Sequence, residues 1–197
     1  MRRIAVSLMS MLMFPVCAAA QSPAVFGGYE WARPTIKSGL GNVNFFPHLF
    51  VEHLNGWKAG ATIPIAGGLA VVGQADGVYG KQFGLGIVVR PMGTARPWMY
   101  TYEGGPRYSF LPEGRVSPFV EGMLGVMHGK LGTMGVDFIG AAIDTGVEGG
   151  VGGGVDVHLT HSLGLQGDIG YRRARLFSQT IQRVQVAASG VWWFGAK

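Results

Sequence analysis

The feature that most constrains this sequence is an alternation of apolar and polar residues with a period of two. Such a period is typical of a β-strand with one apolar and one polar face. In residues 183–194, for example, Val184 and Val186 alternate with Arg183 and Gln185. Eight segments follow this pattern: Val25–Trp31, Gly56–Ile65, Leu69–Tyr79, Met99–Phe110, Phe119–Gly129, Glu148–Leu159, Ser162–Arg172 and Arg183–Phe194. The sequence therefore predicts an all-β protein.

The connections between these segments alternate between short and long. Short turns containing Gly, Pro or Thr are predicted at 65–68, 111–116 and 160–161. Longer loops are predicted at 32–55, 80–97, 130–146 and 174–182. Short turns at one end and long loops at the other are typical of exported membrane barrels. The apolar segment Leu85–Arg90 does not fit a loop and indicates a longer strand or shifted boundaries.

Residues 1–20 have the features of a cleavable secretory signal peptide. Two arginines precede an apolar run at 4–16, and small residues lead to a predicted cleavage after Ala20. The apolar run is too short to cross a bilayer as a helix, which disfavours an uncleaved anchor. Lipid attachment at Cys17 is a second alternative, although the residues before it are unsuited to it. We therefore expect an exported barrel domain at 21–197.

The charged residues of the predicted strands share one face. A soluble sandwich would turn this face to water, but aromatic residues near the ends of the apolar faces and the export signal favour the opposite orientation. In lipid every backbone polar group must be paired, so the sheet has to close. We predict a closed eight-stranded antiparallel up-and-down transmembrane β-barrel whose interior is filled by side chains. Its predicted interior polar network, structural in role, comprises Glu30, Lys58, Asp76, Glu103, Arg107, Glu121, Glu148, Asp156, His158, Asp168, Arg172 and Arg183.

Several short motifs occur in a characteristic order. They are Phe26-Gly-Gly-Tyr29, Leu54-Asn-Gly-Trp57, Gly105-Pro-Arg-Tyr-Ser109, Pro118-Phe119 with Gly125 and His128, and Gly153-Gly-Val-Asp156. Together they resemble the eight-stranded bacterial outer-membrane β-barrel family related to OmpA-like transmembrane domains. The resemblance implies location in the bacterial outer membrane, contact with its lipid and help from the barrel-assembly machinery, but no single activity. Such chains often end on an aromatic residue, whereas here Gly-Ala-Lys follows Phe194.

One group of residues raises the possibility of catalysis. Asp156, His158, His161 and Ser162 lie close in sequence, and enzymes that act on lipids combine these residue types. The predicted turn at 160–161 lies on the periplasmic side, away from outer-leaflet lipid. We therefore interpret the group as interior and turn residues, and we expect no catalytic site.

Other ligand classes are disfavoured. His48 and His53 share a predicted loop, but no trio of acids accompanies them, and we expect no metal site. The glycine-rich segment 146–154 lacks the phosphate-loop motif, so no nucleotide cofactor is expected. The formal charge of +5 is small and scattered, which excludes a nucleic-acid partner.

These interpretations favour an outer-membrane protein with a structural or surface-interaction role. The predicted loops 32–55 and 80–97 are the candidate contacts for a surface partner. The first carries an apolar tip that either packs over the barrel rim or contacts another protein or lipopolysaccharide, and this tip contains Phe45, Phe46, Pro47, Leu49 and Phe50. Three alternatives stay open: a small porin-like channel for ions or small solutes, a lipid-modifying enzyme, and a soluble periplasmic lipid carrier with its apolar face inward.

Overall fold

The computed structural model describes residues 22–37, 53–80, 98–112, 114–131, 142–176 and 179–195. These residues form eight strands, each paired antiparallel with the next, and the last pairs with the first to close a barrel. The strands are β1 (Ala24–Lys37), β2 (Leu54–Ala66), β3 (Leu69–Gly80), β4 (Trp98–Ser109), β5 (Val116–Leu131), β6 (Ala142–His158), β7 (Leu163–Leu176) and β8 (Gln179–Trp193). The predicted eight-stranded up-and-down barrel is confirmed. Within the described segments, no helix is long and apolar enough to span a membrane.

The last two strands extend further than the alternation predicted. β7 continues to Leu176 and β8 begins at Gln179, so the prediction of a long loop at 174–182 is wrong. The arginines in this segment favoured a loop on charge alone. In the structure Arg173 and Arg175 are exposed and alternate with buried apolar residues, which continues the strand period.

Two other predicted loops are shorter than expected. β1 continues to Lys37, within the predicted loop 32–55, and β6 begins at Ala142, within 130–146. In both places the strand pairing continues past the point where the polar–apolar pattern becomes indistinct. The segment Leu85–Arg90 lies outside the described residues.

Short turns lie at the barrel end that also holds the first residue of β1 and the last residue of β8. Between β2 and β3 the chain turns at Gly67 and Gly68, whose φ angles of 54° and 87° fall in the left-handed region that favours glycine. The carbonyl of Gly68 accepts a hydrogen bond of 2.8 Å from the backbone N–H of Ser109, which ties this turn to β4. The short turns predicted at this end are confirmed.

The barrel wall is apolar on the outside. Leu124, Val151 and Ile169 expose 68%, 64% and 58% of their surface, whereas the acidic residues Glu121, Glu148 and Asp168 of the same strands are buried. This is the reverse of a soluble sandwich, in which polar residues face water. It also contradicts the alternative of a lipid carrier with its apolar face inward.

One pair of glycines gives a direct test of packing inside the barrel. A Cβ added at Gly154 would lie 2.3 Å from the carbonyl oxygen of Gly167 and 2.7 Å from Cζ of Phe119, whereas a Cβ at Gly167 would meet nothing within 4 Å. We expect Gly154→Ala to lower the free energy of unfolding by about 1–3 kcal/mol because it overpacks the interior. The control Gly167→Ala is expected to leave stability unchanged or to raise it slightly. Urea unfolding in detergent micelles, followed by tryptophan fluorescence, measures both, and equal losses would contradict this packing.

Candidate functional site in the barrel interior

Charged residues from every strand line the barrel interior. All twelve residues of the predicted polar network lie at inward positions, with three on β6, two each on β4 and β7, and one on each other strand. Eleven are buried and His158 is half-buried. Because every strand contributes a residue to this network, its ion pairs can join strands on opposite sides of the barrel as well as neighbouring strands.

The first group of ion pairs surrounds the Arg183 guanidinium. Its Nη1 lies 2.8 Å from Oδ1 of Asp76 and 3.9 Å from Oε1 of Glu30. Its Nη2 lies 3.3 Å from Oε1 of Glu148 and donates a 3.2 Å hydrogen bond to Oγ1 of Thr101. These partners lie on β1, β3, β4 and β6, so together with Arg183 on β8 the group joins five strands. Such charge-assisted bonds offset the cost of burying the charges only while every partner is present.

The second group joins two arginines through a shared carboxylate. Nε of Arg172 donates to Oε2 of Glu103 at 2.8 Å, and its Nη2 lies 3.6 Å from Oε1 of Glu121. Nη2 of Arg107 donates to the other oxygen of Glu121 at 2.9 Å. Arg107 also approaches Oδ2 of Asp156 at 3.9 Å, which extends the group toward the short turns.

A third ion pair crosses the interior between β2 and β7. Nζ of Lys58 donates to Oδ1 of Asp168 at 2.7 Å. Below it, the guanidinium of Arg107 lies 3.9 Å from the ring centroid of Phe119, within the range of a cation–π contact. These contacts fill the centre of the barrel with side chains that bond to one another.

The interior carries more carboxylates than cations. The network contains seven acidic residues and four Lys or Arg residues. Both carboxylate oxygens of Glu30, both polar side-chain atoms of Gln185 and the hydroxyl of Ser189 make no hydrogen bond with any described residue. These three side chains come from the adjacent strands β1 and β8. These side chains can therefore bond water or a small polar solute.

Apolar residues form a layer near each end of the charged interior. The layer at the long-loop end contains Ala32, Leu54, Val78, Met99, Met127, Ala174, Leu176 and Ile181. The layer at the short-turn end contains Ala24, Phe26, Val72, Met123 and Val191, with Trp193 packed against it. Sequence reasoning missed both layers, although their members share the inward alternate positions with the charged residues. The interior is therefore polar in its middle, apolar at the long-loop end, and part apolar and part polar at the short-turn end.

The candidate catalytic residues lie at the short-turn end. His161 and Ser162 are in the turn between β6 and β7, where the backbone N–H of Ser162 donates to Oγ1 of Thr160 at 3.3 Å. The ring of His158 stacks on Trp193 with centroids 4.0 Å apart. Asp156 contacts Arg107 inside the barrel. Asp156, His158 and the backbone of Ser162 thus have structural contacts, and within the described segments no hydrogen bond joins the serine to a histidine.

The histidines are dispersed in the described part of the barrel. Nδ1 of His128 lies 2.6 Å from Oγ1 of Thr145, and the His53 ring stacks on Trp31 at 6.5 Å. Among the described residues, no three His, Cys, Asp or Glu side chains are grouped to hold a metal. His48 lies outside the described residues. The glycine-rich segment 146–154 is part of strand β6.

Aromatic residues gather toward the two ends of the outer wall. At the long-loop end, the hydroxyls of Tyr79 and Tyr100 are 2.8 Å apart, and the ring of Trp98 lies 5.1 Å from Tyr100. At the short-turn end, Trp192 stacks on Phe194 with centroids 5.5 Å apart, and Tyr108 meets Phe110 edge to face with centroids 5.3 Å apart. Between the aromatic residues of the two ends, the outward positions of β5 to β8 hold only apolar residues and glycine. This is the arrangement of aromatic girdles around a lipid-facing band.

A closed barrel of eight antiparallel strands with an apolar wall and a polar interior has the fold of small outer-membrane barrels, and the resemblance to them is confirmed at the level of the fold. Among solved structures the chain is similar to Neisserial surface protein A, with 17% identity and a TM-score of 0.55 over 87% of this chain and 99% of that one. It is similar to Ail, the attachment invasion locus protein of Yersinia pestis, with 13% identity and a TM-score of 0.54 over 87% and 99% of the two chains. It is also similar to OprG of Pseudomonas aeruginosa, with 12% identity and a TM-score of 0.51 over 88% and 96%. No protein-family model and no curated protein matches the sequence.

Proposed function

We propose that this protein is a structural and surface-interaction barrel of the bacterial outer membrane. In this proposal residues 1–20 direct its export, both chain ends face the periplasm and the long loops face outward. The lipid of the outer membrane surrounds it, and the barrel-assembly machinery inserts it. A surface partner binds through the segments 32–55 and 80–97, whose residues 38–52 and 81–97, like 1–21, lie outside the described residues.

The observation that carries this proposal is the apolar wall around a filled, charged interior. Soluble monomers rarely expose contiguous apolar patches larger than about 300–600 Å². Here large apolar side chains are exposed on all eight strands. Strands of 12–17 residues are also long enough to cross a bilayer, for which about 9–11 residues are needed. Contact with membrane lipid, in place of water, therefore best explains this apolar outer surface.

Membrane fractionation with a gel-shift assay tests the location. We expect the protein in the outer-membrane fraction, and we expect its band in detergent gels to shift on heating because a closed barrel resists unfolding until it is heated. A protein found in the soluble fraction without a heat-dependent shift would overturn the proposal.

The packing of side chains in the interior favours a barrel that does not conduct ions or small solutes. The layer of apolar residues at the long-loop end and the ion pairs across the centre leave little room for a water path. A porin-like channel is the second candidate, because Ser109, Ser117 and Asp156 continue the polar interior to the short-turn end.

Planar-bilayer recording separates these two candidates. We expect the purified barrel to give no stepwise conductance. The charged side chains in the centre pair with one another, and a layer of apolar residues packs at the long-loop end. Discrete steps that change in size in Glu103→Gln would contradict this expectation and favour the channel. Arg115→Gln, at an exposed residue outside the interior, is the control.

We also propose that the protein has no enzymatic activity. The backbone of Ser162 and the ring of His158 have structural contacts at the short-turn end, and this end faces away from the outer leaflet in the proposed orientation. Turnover of purified outer-membrane lipid that is lost in Ser162→Ala would overturn this part of the proposal.

A further inference from the structure

Charge is segregated between the inside and the outside of the barrel. Seven of the eight acidic residues in the described segments are buried in the interior, and the eighth, Asp144, is half-buried on the same inward alternation of β6. Where the structure describes the burial of a charged side chain, the exposed ones are all arginines. They are Arg33, Arg115, Arg173 and Arg175. The described outer surface is therefore positive wherever it is charged.

Three of these arginines form a patch at the long-loop end, on β1 and β7, the two strands that flank β8. Arg33 on β1 pairs with Val184 of β8, and Arg173 on β7 pairs with Gln182, the next outward position of β8. Arg175 follows two residues after Arg173 on the same face of β7. Strand spacing and rise put neighbouring members about 7–12 Å apart. The three guanidinium groups can therefore reach one multiply charged headgroup.

The arginine patch has no acidic partner among the described residues. Salt bridges in the described segments involve only interior cations, and the three arginines take part in none of them. Buried acids cannot reach outward through the wall. Exposed arginines on a barrel wall are left to bind an external anion, and the planar guanidinium suits phosphate.

The arginine patch lies just beyond the lipid-facing band. Tyr171 is exposed on the same face of β7 two residues before Arg173, and Ile169 precedes it in the apolar band. Two residues of strand correspond to about 7 Å, so the arginines reach the level of lipid headgroups when the tyrosine lies at the interface.

We propose that Arg33, Arg173 and Arg175 bind the phosphates of lipid A, the phosphorylated glycolipid anchor of lipopolysaccharide. This inference rests on the proposed location, because only an outer-membrane barrel with its long loops outward brings the patch to the outer leaflet. Lipid A fits better than a glycerophospholipid because one lipid A headgroup offers two phosphates to arginines on two strands that are separated by β8. The patch thus gives the β7–β8–β1 face a preferred lipid neighbour.

Binding of lipid A to the folded protein in phosphatidylcholine vesicles tests the proposal. The probes are bis-phosphorylated lipid A, its dephosphorylated form and phosphatidylglycerol. We expect tight binding only to the first. The triple variant Arg33→Gln, Arg173→Gln, Arg175→Gln is expected to bind lipid A at least about tenfold more weakly, since it loses all three positive charges that attract the phosphates. The matched control Arg115→Gln removes an exposed arginine at the opposite end and is expected to bind like the unaltered protein.

Three results would overturn this proposal while the proposed location survives. They are unchanged binding by the triple variant, an equal loss in Arg115→Gln, and equal binding of dephosphorylated lipid A or phosphatidylglycerol. The heat-dependent gel shift and insertion into vesicles, measured on every variant, show that each barrel is folded. Failure of the unaltered protein to insert into vesicles would instead overturn the proposed location, and this proposal with it.

Discussion

Replacing Arg183 by methionine is expected to lower the free energy of unfolding by about 3–5 kcal/mol, the usual cost of removing one partner from a buried ion pair. The guanidinium lies between the carboxylates of Asp76, Glu30 and Glu148, and all of them are buried. Without it three buried carboxylates lose the cation that lies within 4 Å of all of them. Urea titration of the barrel in micelles, followed by tryptophan fluorescence, measures the change.

Two further variants make the Arg183 result specific. Arg173→Met removes an exposed arginine ten residues earlier and is expected to change stability by less than about 0.5 kcal/mol. Asp76→Asn combined with Arg183→Met removes a negative charge with the positive one and is expected to recover part of the loss. An Arg183→Met protein as stable as the unaltered barrel would show that the interior ion pairs contribute nothing to stability.

Arginine introduced in the middle of the outer wall is expected to be the most damaging surface change. Ile169 lies outward near the middle of β7 and is 58% exposed. In a bilayer, Ile169→Arg is expected to cost about 2–4 kcal/mol, because the charge enters hydrocarbon. Urea unfolding from phospholipid vesicles measures this cost.

The control for this variant lies on the same strand and the same face. Leu163 is also exposed, at 53%, but it is the first residue of β7 and lies near the interface. Leu163→Arg is expected to cost no more than about 1 kcal/mol. If the wall faced water, both changes would be nearly neutral, so equal and small effects would contradict the membrane assignment.

The orientation of the strands could be predicted from the sequence because a period of two permits only two faces. Once Arg183 and Gln185 were assigned inward, Val184 and Val186 had to point outward, and the structure agrees. Each strand repeats this constraint, and aromatic residues near the strand ends showed which face meets lipid. The number of strands and their order followed from the turns between them.

The partners of the interior charges could not be predicted from the sequence. Lys58 and Asp168 lie on strands far apart in the chain, and their 2.7 Å contact depends on closure and on the stagger of the strands. The apolar layers were missed for a different reason. Val78 and Met127 occupy inward positions, but the prediction placed only charged residues and His158 in the interior and so described it as uniformly polar.

The extension of β7 and β8 shows a limit of local composition. Arg173 and Arg175 lowered the hydropathy of the segment and favoured a loop, although their alternation was intact. Cross-strand pairing with β8 stabilises residues that would not form a strand alone. The same arginines form the outward patch for which a lipid partner is proposed.

The central claim is that the apolar wall contacts lipid hydrocarbon, and spin labels on one face of β7 test it most directly. Single cysteines at Ile169 and Arg173, in a chain with Cys17→Ser, carry nitroxides in phospholipid vesicles. We predict that oxygen dissolved in lipid relaxes the label at residue 169 strongly, while a water-soluble nickel chelate reaches only the label at 173. Relaxation of the residue 169 label by the nickel chelate, at the level measured for 173, would contradict the account.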